Sequence, residues 1–116
     1  MLSPDNFFSE LLVQFPKIAD EFGSEDEDHY KMGRFATYSI EQIKQKNIEE
    51  LKKCFGFIET HLETITPDLE NALNVSYCEA LLGYDNYKRG IEMKKVMPEK
   101  LLRFYLDYKN HYNSSG

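Results

Sequence analysis

Ile48, Leu51, Phe55, Ile58, Leu62 and Ile65 recur at intervals of three and four residues, a narrow apolar stripe sustained for nearly five helical turns. A helix places all six on one side, whereas a strand would scatter them over two faces. Asn47 stands where a cap belongs, and Glu49, Glu50, Lys52 and Lys53 take the opposite face. No segment of the 116-residue chain alternates as a half-buried strand does, so the rest of the sequence is read for helices.

Punctuation divides it. Ser3-Pro4-Asp5 combines an N-cap, a first-position proline and a first-turn acid, and the helix it opens carries Phe7, Phe8, Leu11, Leu12 and Phe15 on one face. Pro16 begins a short helical turn with Ile18, Ala19 and Phe22 inward and Gly23 closing it. From His29 to Lys46 the residues Tyr30, Phe35, Tyr38, Ile40 and Ile43 imply helix, with a break expected around Thr37 to Ser39 and Ser39 capping the part that follows. Thr66-Pro67-Asp68 repeats the start signal, so the striped helix and the next should form an antiparallel hairpin with almost no connection. That next helix spreads Leu69, Ala72, Leu73, Val75, Tyr77, Cys78, Ala80 and Leu81 around its circumference, as a central helix does, and Gly83 is expected to end it. Pro98 opens a last helix striped by Leu101, Tyr105, Tyr108 and Tyr112, with residues 113–116 frayed. The expectation is all-α: a single compact domain, residues 1–116, of five to seven helices with a central buried helix and a helical hairpin.

Charge is sorted along the chain. Blocks 1–30, 31–53, 54–87 and 88–116 carry −7, +3, −6 and +4, which sum to the net −6. The acidic balance argues against nucleic acid and anionic membranes as partners and favours a basic protein. No stretch reads as a signal peptide or a membrane span, and Cys54 and Cys78, without CxxC spacing, read as reduced buried thiols in a cytoplasmic protein. A disulfide between them is the alternative.

Chemistry is sparse. His29, His61 and His111 are scattered, and none stands in a metal-binding spacing; Glu59 and Glu63 flank His61 but are expected to face solvent. Phosphate loops, nucleophile elbows and zinc-type cysteine pairs are absent from the sequence, so no catalytic residue, metal or cofactor is assigned. Glu79, between Cys78 and Ala80, must find a buried partner, change its protonation or occupy an exposed strip. A hydrogen-bonded core carboxylate is favoured, with a Tyr, Arg34, Arg89 or Arg103 as partner. The runs Asp20, Glu21, Glu25, Asp26, Glu27, Asp28 and Glu59, Glu63, Asp68, Glu70, Glu79, Asp85 read either as solvated charge or as two halves of one acidic surface. Tyr30, Tyr84 and Tyr87 are the aromatic anchors such a surface would use. Complementary charge would then speed association toward ~10⁸ M⁻¹s⁻¹.

Phe57-Ile58-Glu59, followed by Asn71-Ala72-Leu73-Asn74-Val75-Ser76-Tyr77-Cys78-Glu79-Ala80-Leu81-Leu82, resembles an uncharacterised bacterial family of small helical proteins. Its members carry a Phe-x-x-Ile-Glu helix and then an Asn-Ala-Leu-x-Val-Ser-x-x-Glu helix; where an apolar pair more often precedes the last Glu, this chain has Tyr77-Cys78. The resemblance implies a cytoplasmic protein of toxin and immunity loci, including contact-dependent growth inhibition, without catalytic residues. The expected function is therefore an immunity protein that occludes a cognate toxin, a nuclease, through acidic residues and tyrosines. A non-catalytic helical scaffold or regulatory protein acting through self-association is the alternative, and a metal- or ligand-binding enzyme using Glu59, His61 and Glu79 is a third reading.

Overall fold

The described residues of the computed structural model, 4–21, 27–85 and 92–115, form six α-helices with no strand among them. They are α1 (Pro4–Gln14), α2 (Asp28–Lys44), α3 (Ile48–His61), α4 (residues 67–85), the single turn α5 (Met93–Val96) and α6 (Glu99–Ser115). A 3₁₀ segment, Pro16–Glu21, follows α1. The radius of gyration, 13.4 Å, is what one compact domain of this length has.

α1 buries Phe7, Phe8 and Leu11, and Phe15 just beyond it; Val13 is left 80% exposed. In the 3₁₀ segment Ile18 is buried, but Ala19 points outward, contrary to the expectation of an inward face. Ser3, Phe22 and Gly23 lie outside the described residues.

α2 is unbroken where the sequence suggested a break. Thr37 Oγ1 donates to the Gly33 carbonyl at 3.0 Å and Ser39 Oγ to that of Phe35 at 3.0 Å, so both hydroxyls bond back to the preceding turn and the helix continues. Ser39 is a buried core residue rather than a cap. α2 stops at Lys46, whose φ of 58° turns the chain into the left-handed region, with Asn47 N–H donating back to the Gln42 carbonyl at 2.9 Å. Asn47 then caps α3, its Oδ1 accepting from Glu50 N at 3.3 Å. Tyr38 donates to the Glu50 carboxylate and the Phe35 and Phe57 rings meet at 6.2 Å, so α2 and α3 run antiparallel. This is the helical hairpin. The sequence had placed it at Thr66, but the nearest backbone neighbour of α4 is α2 rather than α3.

Thr66 caps α4 as its sequence implies, with Oγ1 accepting from Leu69 N at 3.3 Å and Pro67 in the first turn. Within α4 the stretch Leu73–Cys78 is π-helical, and Glu79 N–H reaches the Asn74 carbonyl. The reason lies in the spacing. Leu69, Leu73, Tyr77 and Leu81 are all buried, and Asn71, Val75, Glu79 and Gly83 are all exposed, each series at strict steps of four. In a regular α-helix such a series drifts by about 40° per step; the wider π turn, with i→i+5 bonds, absorbs the drift and keeps each series on one side. α4 is thus the central helix, yet it keeps one open strip, and it continues through Gly83 to Asp85.

The last layer is fixed from a distance. Pro98, just before α6, has no side-chain acceptor, and the α3 carboxylate of Glu59 takes the place of a cap: Oε1 accepts from Leu101 N at 2.6 Å and Oε2 from Lys100 N at 3.1 Å. Leu101 and Tyr105 are buried beneath α6, which remains helical through Ser115, past the expected frayed end. In the core the Tyr77 hydroxyl meets Ser39 Oγ at 2.7 Å. Since Ser39 gives its proton to Phe35, Tyr77 is the donor in this pair.

Candidate functional site

Charge that is sorted along the sequence is partly cancelled in space. Glu59 is committed to the α6 amides, and Glu63 forms an ion pair with Lys100 at 2.8 Å. Hydrogen bonding and attraction from Lys100 hold the Glu63 carboxyl below its ordinary range, and the same contact holds Lys100 above its own. His61 turns away from both carboxylates, pairing through Nε2 with Glu10 at 2.9 Å and lying edge-on between Phe7 and Phe57. A metal site joining Glu59, His61 and Glu79 is therefore not assembled, and among the described residues no group of three or more His, Cys, Asp or Glu could hold a metal ion. The cysteines are unpaired and buried, and burial pushes both thiols up to about 12. Neither offers a thiolate at neutral pH.

Other carboxylates converge. Glu79 is exposed on the open strip of α4, which corrects the expectation of a buried hydrogen-bonded carboxylate. The π-helical phase is the cause, because it sets residue 79 in line with Asn71 and Val75. On one side of this strip His29 Nδ1 meets Ser76 Oγ at 3.1 Å, which brings the start of α2 against α4. There Glu27 and Asp28 open the helix; Tyr30, 51% exposed, and Val75, 40% exposed, are the chain neighbours of the contacting His29 and Ser76. On the other side Glu70 and Asn74 line a cleft of ≈ 230 Å³ with Phe104, Asp107, Tyr108 and His111 of α6. A second cleft, ≈ 220 Å³, shares Phe104 and Asp107 and adds Leu62, Glu63, Lys100 and Arg103.

The candidate site is this α4-centred face. Of the residues chosen from sequence, Glu27, Asp28, Tyr30, Glu70 and the exposed Asp68 at the start of α4 fit it or border it. Glu59 and Glu63 do not, because they hold α6. Tyr84 is half-buried against the core. Glu25, Asp26 and Tyr87 lie outside the described residues, and the side chains of Asp20, Glu21 and Asp85 are likewise not described. Sequence reasoning passed over Asn74, Phe104, Asp107 and Tyr108. The i, i+4 pair Asp107 and His111 on the last helix was the available signal.

A family model described as a domain of unknown function, DUF7674, matches residues 8–113. The chain belongs to the DUF7674 family. No curated protein and no solved structure matches it. Membership of DUF7674 brings no reaction or partner with it, so the function of this protein has to be argued from its face. No described helix of the DUF7674 chain is long and apolar enough to cross a membrane.

Proposed function

We propose that this DUF7674 protein acts by binding a basic protein partner through the α4-centred face, and that it is an immunity protein neutralising a cognate bacterial toxin, a nuclease, in the cytoplasm. The observation that carries the binding reading is the His29–Ser76 contact, which sets the start of α2, with Glu27, Asp28 and exposed Tyr30, against the open strip of α4, with Val75 and Glu79. Exposed apolar side chains and acids carried on two helices in contact supply what an interface with a basic surface uses, apolar area and complementary charge. Nuclease toxins grip phosphate and are basic for that reason. The toxin assignment draws on the resemblance of residues 55–82 to proteins of immunity loci; the face itself asks only for a basic partner with some apolar surface.

The test is co-purification with the product of the neighbouring upstream gene at low and high salt. A one-to-one complex that loosens as salt rises, and that Tyr30→Ala weakens by about 2 kcal/mol or about thirtyfold, supports the reading. Absence of a complex removes it. A self-dimer would instead favour the scaffold reading, for which Val13, 80% exposed, offers an apolar contact.

A further inference from the structure

We propose that the cleft between α4 and α6 is a receptor for a guanidinium or ammonium group on an aliphatic stem, the arginine or lysine side chain of a partner protein. This rests on the protein-binding reading and specifies what the face grips.

Size comes first. At ≈ 230 Å³ the cleft is smaller than the roughly 300 Å³ at which small-molecule sites begin, and it has room for one long side chain. Its walls supply the two chemistries such a side chain carries. Phe104 and Tyr108, both half-buried, present aromatic surface for the aliphatic stem and for cation–π attraction. Glu70 and Asp107 are exposed carboxylates at the rim, and among the described residues neither has an ion-pair or hydrogen-bond partner. Asn74 adds an amide oxygen. It lies in the π-helical stretch that keeps steps of four in line, so it stands directly beyond Glu70 on the cleft wall.

Among the described residues, two cations near the cleft are already engaged. Arg103 bonds Glu99 at 3.0 Å, and Lys100 bonds Glu63 at 2.8 Å. Both line the second cleft and not this one. Neither of these two cations neutralises the Glu70 and Asp107 carboxylates of the α4–α6 cleft. A guanidinium fits best, because its planar fork can reach a carboxylate with two donors while its face lies on an aromatic ring.

Agmatine, a guanidinium on a butyl chain, is the probe, titrated into the whole protein and followed by amide chemical shifts. N-butylurea, of similar shape without charge, is the control. Saturable shifts centred on Glu70, Asn74, Asp107 and Tyr108 with agmatine alone are expected. The pair E70Q and D107N should weaken binding about tenfold, while E41Q should leave it unchanged. Shifts spread evenly over all acidic positions, or a titration indifferent to E70Q and D107N, would overturn the proposal. The toxin experiment separates the two readings. A complex that forms but ignores E70Q and D107N sinks the cleft and leaves partner binding standing; agmatine seated in the cleft of a protein that forms no complex keeps the cleft's chemistry and removes partner binding.

Discussion

Replacing Glu59 by Ala should destabilise the protein while leaving partner binding intact. The residue looks like part of an acidic surface, but its two carboxylate oxygens serve the first free amides of α6, Lys100 at 3.1 Å and Leu101 at 2.6 Å. Loss of a helix cap costs about 0.5–2 kcal/mol, and loss of the negative charge at a helix N-terminus costs about 0.3–1 kcal/mol more. The Lys100 amide is exposed and water can replace the carboxylate there; the Leu101 amide is partly buried and cannot be resolvated as fully. The total is about 1–3 kcal/mol, a fall of about 4–12 °C in Tm for a chain of this size. Glu59→Gln keeps one acceptor and should lose about half as much. Urea unfolding followed by circular dichroism measures this as a lower midpoint at unchanged slope. Glu70→Ala, with no partner to lose, should stay within about 0.5 kcal/mol of the parent. If E59A were as stable as E70A but failed to bind the toxin, Glu59 would be a contact residue and the capping argument would be wrong.

Three further outcomes are expected. Ser39→Ala leaves the fully buried Tyr77 hydroxyl without its acceptor and should cost about 1–3 kcal/mol, Tyr77→Phe about 1 kcal/mol, and the double variant less than their sum; strict additivity would mean that the two do not interact. Glu63 titrates below its ordinary value and Lys100 above its own, so their pair contributes between those limits, fading as pH falls through the lowered Glu63 pKa and as it rises through the raised Lys100 pKa. Carboxyl carbon shifts should show Glu63 returning to the ordinary range in Lys100→Met, and a titration that does not move would dismiss the pair. A Cβ at Gly56, inside α3, would meet nothing within 4 Å. Gly56→Ala should therefore stabilise by about 0.5–1 kcal/mol through helix propensity, and a loss of thermal stability would show that close packing had been missed.

The fold was readable wherever one rule acted alone. The Asn47 and Thr66 caps and the central place of α4 follow from period and capping chemistry, and each is present; of the expected α3 stripe, Leu51, Phe55 and Ile58 are buried, whereas Ile48 is 45% exposed and Leu62 and Ile65 lie beyond the end of α3. The failures came where two rules competed. Gly33, Thr37 and Ser39 weaken a helix locally, but Phe35, Ala36 and Ile43 are wholly buried and the hydroxyls bond back to the helix, so packing overrode propensity in α2. The exposure of Glu79 was hidden by the assumption of 3.6 residues per turn. The four-residue series in α4 was visible in the sequence, but its meaning depends on a π-helical turn that only packing against α2 and α6 makes worthwhile.

The acidic surface was harder still, because a charge block records where carboxylates lie in sequence and not what they meet. Glu59 and Glu63 come from a segment with no Lys or Arg, yet fold against the basic C-terminal block, where their charge serves α6. The same is true of Glu41 with Lys44, Glu50 with Lys53 and Glu92 with Lys95, each a local pair that adds little to an outward field. What survives this cancellation is more informative than the net charge. Glu70 and Asp107 face each other across a cleft from α4 and α6 without an ion-pair partner among the described residues, while Glu79 occupies a strip that the core leaves open. These carboxylates lie on α4 and on the helix packed against it, where no described cation offsets them. Reversing Glu79 to Lys should therefore weaken partner binding far more than reversing Glu41, although the two substitutions change the net charge equally.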